Sequence, residues 1–421
     1  MKMFAITPEN RSFLVNAFFL ALMQAANTFL PLLTLPFLIR VLGVELFGQL
    51  AFVTAFMYYF VVLADYGFNL TATRDISIHR ENLDRINCIY SNVMVIKSAL
   101  LVVSFFCSLA LVLLIPSFFE YWPLYLASFF VVVCQSFFPV WFFQGMEAMK
   151  YVSYLSVFAK VVLTAGIFIF ISGPEDYLWV PLLTALGFFL SVLFALYLIH
   201  VKYKVSFTWP SFVEVRQCLA EGWFVFLSQM KVTLFSSSNI VILGVISGPV
   251  AVGYYVAAEK IMRALALAQT PITNALFPLI AKKMVTDKAG AIAKLKKIAY
   301  LGGALYLAIL GAVYLLSDEL IDLLYGDKMQ ASAWVLKVML IIPLLIFLNN
   351  IFGTQVLLNT GRQKTFFYVL LVSAVLSLVL CVSLTYFFSY QGTTIALLIT
   401  EIFIVLAFFC VAYRELFYVR G

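Results

Sequence analysis

Charge is what this 421-residue sequence has least of: Asp, Glu, Lys and Arg make up 11% of it, against about 25% in an ordinary soluble domain. A chain so poor in charge, 64% hydrophobic and with a mean hydropathy of +1.05, cannot cover a water-facing surface. A soluble fold is excluded. Histidine is nearly missing too: the two present, His79 and His200, fall in loops or at helix ends, so no histidine metal centre is expected. The six cysteines, Cys88, Cys107, Cys134, Cys218, Cys381 and Cys410, lie in or beside apolar stretches with neither a CxxC pair nor Cys/His ligand spacing. They read as small packing residues. Extended polar loops are lacking, as are GxSxG, HExxH, phosphate-loop and paired-carboxylate arrangements, so neither an active site nor a cofactor is expected, and no ATP is used within this chain.

What abounds is apolar length. A hydrocarbon core ~30 Å thick takes about 20 apolar residues in a helix, and such stretches recur from Phe13 to Tyr413. Breaks at charges, Gly and Pro give twelve expected spans, at 12–40, 45–69, 85–114, 118–144, 151–172, 177–200, 217–246, 250–281, 295–317, 331–358, 365–388 and 391–413. The first follows Lys2 and Arg11 as a signal peptide would, but it is too long for a signal h-region and is read as a retained helix. Short cytoplasmic loops carry the excess of Lys and Arg. With the N-terminus in the cytoplasm, nineteen of the 27 basic residues fall inside, and only Arg40 and Lys328 fall outside. The outer loops instead hold Glu45, Glu120, Glu175, Asp176, Asp318, Glu319, Asp322 and Asp327. Both termini are therefore expected in the cytoplasm, and the net charge of +7 is a topology signal rather than a nucleic-acid footprint.

Two junctions echo across the midpoint. "FFQGMEAMKYVSYL" (142–155) is echoed by "LLNTGRQKTFFYVL" (357–370), and "LGVELFGQLAF" (42–52) by "LGVISGPVAVGYYVAA" (243–258). With six helices between copies, the repeats would be parallel, with a binding site between them near the midplane. The expected fold is an all-α polytopic membrane protein. It has an N-terminal six-helix bundle over 1–202, a basic cytoplasmic linker at 203–215 and a C-terminal six-helix bundle over 216–421.

Six basic residues remain inside the spans: Lys97, Lys160, Lys231, Lys260, Arg263 and Lys337. At mid-depth a Lys or Arg facing lipid costs at least about 2.5 kcal/mol. Lys337 is shallow enough to snorkel to the outer interface. Glu259 and Arg263, spaced i,i+4, can neutralise one another, which leaves Lys260 without a partner. Of the acids, Glu401 sits near mid-depth, while Asp65 and Glu221 lie near cytoplasmic ends and read as pairing residues. The inner excess is positive and points to an anionic cargo. Polar neighbours at Gln24, Asn27, Gln135, Gln229, Ser236, Ser237, Ser238 and Asn239 could bond hydroxyls, or serve as packing glue.

The runs "LPFLIRVLGVELFGQLAF", "DYGFNLTATRDIS", "WFFQGMEAM", "VGYYVAAEKIMRAL" and "TNALFPLIAKK" resemble O-antigen flippases of the Wzx type, in the multidrug/oligosaccharidyl-lipid/polysaccharide (MOP) exporter superfamily. The likeness covers essentially the whole chain. It implies twelve MATE-like helices in the bacterial inner membrane. It also implies alternating-access translocation of an undecaprenyl-pyrophosphate-linked oligosaccharide from the cytoplasmic to the periplasmic leaflet, alongside membrane lipids, an O-antigen polymerase and a chain-length regulator. By depth it assigns the cationic cavity to Lys97, Lys160, Lys231, Lys260 and Arg263; Glu259 and Glu401 are the candidates for ion coupling. The rivals are a cation-coupled multidrug or peptidoglycan-precursor exporter of the same superfamily, and an O-antigen polymerase. Drug exporters of lipophilic cations favour intramembrane acids, the precursor branch needs two more helices, and a polymerase needs a large catalytic loop.

Overall fold

In this computed structural model the described residues run from 8 to 417, with some side chains within 8–28, 231–236 and 414–417 outside the description. Every regular element among the described residues is helical; besides short 3-10 and π-helical segments at Pro174–Leu178, Leu198–Lys202, Asp327–Met329 and Asn350–Leu358 there are fifteen α-helices. In chain order they are α1 (Pro8–Asp65), α2 (Phe68–Ile78), α3 (Leu83–Leu114), α4 (Pro116–Phe119), α5 (Trp122–Phe137), α6 (Val140–Gly145), α7 (Met149–Phe170), α8 (Trp179–Tyr197), α9 (Phe212–Leu267), α10 (Thr270–Thr286), α11 (Lys288–Leu315), α12 (Ser317–Tyr325), α13 (Gln330–Met339), α14 (Ile342–Asn349) and α15 (Gln363–Phe417). Nine stretches among the described residues are long and apolar enough to cross a membrane, so the protein is a multi-pass membrane protein. Three of these, Phe29–Ile78, Ser237–Thr286 and Gln363–Tyr413, run to 50, 50 and 51 residues. Unbroken, each would reach about 75 Å, more than twice a bilayer core.

None of the three is unbroken. α1 turns at Gly43 (φ 80, ψ 168), α9 at Gly248 (φ 81, ψ 177) and α15 at Ser389 (φ 54, ψ −136). The two glycines share one conformation, in a region that side-chain-bearing residues hardly enter. Counted from these kinks, Val44 corresponds to Pro249 and Gly48 to Gly253, and the structure pairs them crosswise. A Cβ placed on Gly48 would lie 1.8 Å from the Pro249 carbonyl oxygen, and one on Gly253 would lie 2.5 Å from the Val44 carbonyl oxygen. Each glycine thus lets its own backbone lie against a carbonyl of the opposite turn, where a side chain has no room. Such close backbone approach is what small residues permit between membrane helices.

The second echoed pair shares a geometry as well. Glu147 (φ 54) and Gly361 (φ 76) are both left-handed. In the first turn the Ala148 N–H donates to the Phe143 carbonyl (2.7 Å), and in the second the Arg362 N–H donates to the Leu357 carbonyl (2.9 Å). A left-handed residue followed by a bond back across six residues is a Schellman helix end. Glu147 takes this conformation without being glycine, held by Arg80, which reaches its carboxylate (2.8 Å) and the Gly145 carbonyl (2.7 Å).

By proximity the chain forms two units, Met1–Leu42 with Val53–Ser237, and Gly43–Phe52 with Ser238–Gly421. The first is centred on buried aromatics: Tyr66, Phe68, Tyr90, Trp141, Phe142 and Phe143. Tyr66 stacks on Phe226 (5.0 Å) and donates its hydroxyl to the Leu219 carbonyl (3.0 Å). The stretch 203–211, after the π-helical segment Leu198–Lys202 that continues α8, has no regular structure but is tied to α3. The Ser206 N–H donates to Asn87 Oδ1 and the Thr208 N–H to Ser91 Oγ, both at 2.9 Å. α9 then opens with a capping box, in which Glu214 accepts from the Ser211 N–H (2.8 Å) and donates its own N–H to Ser211 Oγ (3.3 Å). These Ser211 bonds hold the Glu214 carboxyl below its ordinary range.

Candidate functional site

The charges inside the helices do not form a single cluster. In the first unit Lys97 is 1% exposed, halfway along α3. Its ammonium donates to Asp65 Oδ1 and to the Ser136 carbonyl, each at 2.9 Å. Asp65 is the last residue of α1, and Ser136 stands at the end of α5, where Pro139 stops the helix. Lys97 thus places its charge at the carbonyl-rich ends of two helices, where the macrodipoles are negative. Asp65 takes the pairing part the sequence suggested for it. Lys160, on α7, is half-buried. Glu221 accepts from Gln217 one turn earlier (3.0 Å).

In the second unit the "AAEKIMRA" stretch of α9 separates its three charges by face. Glu259 is 3% exposed and takes a two-pronged bond from Arg263, Nε at 3.0 Å and Nη2 at 2.8 Å. The i,i+4 pairing expected from the sequence is present. Arg263 nevertheless keeps 49% of its side chain accessible, so the guanidinium leans on Glu259 while staying on the surface of the unit. Lys260 is exposed and makes no ion pair among the described residues. Glu401, on α15, accepts from Asn349 Nδ2 (2.8 Å) at the end of α14, and Arg263 lies within electrostatic range of it. Arg263 is thus hydrogen-bonded to Glu259 and lies within electrostatic range of Glu401, which Asn349 holds. Asn349 was not singled out by the sequence, where one amide among apolar residues carries no signal. Among the described residues its Oδ1 has no hydrogen-bond partner.

Lys337 pairs with Asp318 at 2.5 Å. Lys231, Asn27 and Ser236 fall among side chains outside the description, while Ser238 and Asn239 are buried. Among the described residues no group of His, Cys, Asp and Glu could hold a metal ion.

The chain has known counterparts. The profile of the family described as "Polysaccharide biosynthesis protein" matches residues 13–284. An Escherichia coli K12 protein named as a candidate O-antigen transporter is 32% identical over 390 residues, 92% of this chain and 93% of that protein. A Shigella dysenteriae protein of the same description is 25% identical over 391 residues, 93% of this chain and 98% of that one. Among solved structures, a MATE-family multidrug-resistance transporter of the MOP superfamily in an inward-facing conformation gives a TM-score of 0.67 at 16% identity, covering 96% of this chain and 100% of that one. The lipid II flippase MurJ, in an inward closed conformation, gives 0.67 at 14% identity, covering 93% of this chain and 87% of that one. The fold is that of MOP-superfamily transporters, the class the sequence resemblance implied. The chain belongs to the polysaccharide biosynthesis protein family, among relatives named as O-antigen transporters.

Proposed function

We propose that the protein is an O-antigen flippase: it carries an undecaprenyl-pyrophosphate-linked oligosaccharide from the cytoplasmic to the periplasmic leaflet of the bacterial inner membrane by alternating access. The observation that carries this reading is the likeness, over more than nine-tenths of the chain, to relatives named as O-antigen transporters, joined to the exposed basic side chains of Lys260 and Arg263 on α9. A pyrophosphate bears about two negative charges. With the cytoplasm negative, moving each charge outward is favourable by ~2.3 kcal/mol per 100 mV. The obstacle is desolvation of the headgroup and sugar in hydrocarbon, which a wet passage lined by cations lowers. Lys160, Lys260 and Arg263 line that passage in this proposal. Lys97, whose ammonium is committed to Asp65 and Ser136, holds the helices that frame it. Glu401, held by Asn349 and near Arg263, is the candidate for proton or sodium coupling, with Glu259 as its neighbour.

In the same proposal the three 50–51-residue stretches cross the membrane twice each, giving twelve crossings in two six-helix bundles joined by the 203–215 linker, with both termini in the cytoplasm. The O-antigen polymerase and chain-length regulator receive the product. The test is complementation of a flippase deletion, with membrane abundance measured alongside. Ala at Lys160, Lys260 and Arg263 should each reduce surface polysaccharide and strand lipid-linked sugar in the cytoplasmic leaflet, while exchanging Lys for Arg, or Arg263 for Lys, should largely preserve export, because a diffuse anion reads charge more than geometry. Normal export from all the Ala variants defeats the cationic-passage reading, and a reporter fused at Lys288 that reads periplasmic defeats the topology.

A further inference from the structure

Where α7 begins and α8 ends, two lysines are gathered on an aromatic base with no acid to neutralise them. Tyr151, in the first turn of α7, rests against buried Phe143, the ring centroids 5.6 Å apart. Tyr203, just past the π-helical segment that continues α8, lies against Phe142 (5.4 Å) and Phe143 (6.2 Å). The Lys202 ammonium donates to the Tyr151 hydroxyl and stands 4.7 Å from the centre of that ring and 5.6 Å from the centre of Tyr203. The Lys150 ammonium stands 5.2 Å from the centre of the same Tyr151 ring. One ring thus attracts two like charges. Both lysines are exposed, and neither makes an ion pair among the described residues. Glu147, three positions before Lys150, pairs with Arg80 instead. The first turn of α7 adds the positive end of a helix dipole. Lysines that only snorkel reach out to water one by one; here two ammoniums converge, and an anion between them relieves their repulsion.

The cluster stands at the ends of two apolar spans, Met149–Phe170 and Pro174–Lys202, and so at a membrane boundary, where tyrosine and lysine are at home. From it an exposed apolar surface runs back along both helices. Tyr154 and Phe158 follow Tyr151 at helical spacing on α7, and Phe194, Tyr197 and Val201 lead up to Lys202 on α8 and its continuation. The two helices pack together along this length: Ser191 Oγ donates to the Leu155 carbonyl (3.0 Å), and Gly187 lies against the Ala159 backbone. A lipid-facing apolar surface is ordinary in such a protein; an unneutralised pair of cations held over an aromatic base at its end is not. Together they complement an anionic headgroup with chains attached, whereas a soluble phosphate would engage only the charged end.

We propose that Lys150, Tyr151, Lys202 and Tyr203 form a site for the phosphate of an anionic membrane phospholipid, whose acyl chains lie along the exposed faces of α7 and α8. The two ammoniums share the phosphate oxygens in charge-assisted hydrogen bonds, and the tyrosines hold the lysines in place before the lipid arrives. The lipid is a resident of the membrane and not the transported molecule, so the site stands whatever the cargo is.

Amine acetylation reads the site residue by residue. The full chain, purified in a neutral detergent, is treated with an amine-reactive acetate ester in the presence of phosphatidylglycerol or of phosphatidylcholine, which has matching chains and no net charge, and each lysine is quantified by peptide mass spectrometry. Phosphatidylglycerol should slow acetylation of Lys150 and Lys202 at least about fivefold relative to phosphatidylcholine and leave exposed Lys204 unchanged. Glycerol phosphate, a headgroup without chains, should protect neither lysine at the same concentration. Lys202→Gln should abolish the protection of Lys150, because the two share one headgroup, and Lys202→Arg should keep it. Equal rates in the two lipids overturn the proposal, as does equal slowing at Lys204, which is what a charged micelle surface alone produces. Protection by glycerol phosphate assigns the cluster to a soluble anion and overturns the lipid reading. Protection of Lys150 that survives Lys202→Gln shows two independent lysines and no site. If Lys202→Gln does not accumulate in the membrane, Lys150→Gln read at Lys202 decides the same point.

Discussion

Replacing Lys97 separates a structural ion from a substrate-binding one. Lys97→Ala removes an ammonium that is 1% exposed and bonded at 2.9 Å to both Asp65 Oδ1 and the Ser136 carbonyl. The carboxylate left behind has 19% of its side chain accessible, so water solvates it only in part. Breaking a buried pair from one side costs about 3–5 kcal/mol, most of it the unpaired charge, and the lost methylenes add a cavity. That is roughly a hundredfold or more in a folding equilibrium, at about 1.4 kcal/mol per factor of ten. The assay is thermal unfolding of the purified protein in detergent, with membrane abundance in cells. Lys97→Ala and Lys97→Met should both lower the transition, and adding Asp65→Leu to Lys97→Met should recover most of the loss, because an apolar pair of similar volume replaces a buried ion pair at little cost. A Lys97→Ala protein of normal abundance and unfolding temperature that fails only in export would refute this reasoning and return Lys97 to the cationic passage.

The remaining predictions concern single groups. Glu147→Gly should melt at or slightly above the parent, since relief of a left-handed non-glycine residue, about 1 kcal/mol or more, outweighs a half-exposed ion pair to Arg80 of about 0–1 kcal/mol; Glu147→Ala, which keeps the strain and loses the pair, should melt lowest of the three. The lowered pKa of Glu214 means its contribution is present above the ordinary value of 4.5 and lost as pH falls through the depressed folded value; amide protection at Ser211, whose N–H the carboxylate accepts, should drop in that acid range in the parent and be already low in Glu214→Ala at neutral pH. Asn349→Leu removes the donor to Glu401 and should reduce export without reducing abundance if Glu401 couples transport to an ion, while unchanged export at varied pH and sodium would count against that role.

Much of the fold could be read from composition because the bilayer restricts what a chain can do: with no water to satisfy backbone groups, apolar segments of this length must be helices. The i,i+4 pair of Glu259 and Arg263 was visible for the same kind of reason, since 3.6 residues per turn fixes neighbours along one helix. What the sequence hid lies between helices. Nothing in "MVIKSALL" says that Lys97 meets Asp65, 32 positions earlier, and the Ser136 carbonyl, because span depth sets how far along the membrane normal a residue lies and leaves its facing open. Three mid-depth bases that depth alone treats alike separate for that reason: Lys97 faces into its unit, while Lys260 and Arg263 face out of theirs.

The same distinction explains why the echoed junctions were the most informative part of the sequence. Apolar helices exchange Leu, Ile, Val and Phe freely, since lipid and neighbouring helix ask only for similar volume, so a repeat in such segments fades quickly. Turns are held by backbone conformation instead. Gly43 and Gly248 sit where only glycine is comfortable, and Gly48 and Gly253 where only glycine fits. Glu147 against Gly361 shows the limit of this rule, because the left-handed angle persists there in a residue that pays for it with an arginine partner. At Gly361 the glycine remains. A residue type in these turns is thus set either by the angle alone or by the angle together with a named partner, and in both cases the geometry outlasts the letters that first encoded it.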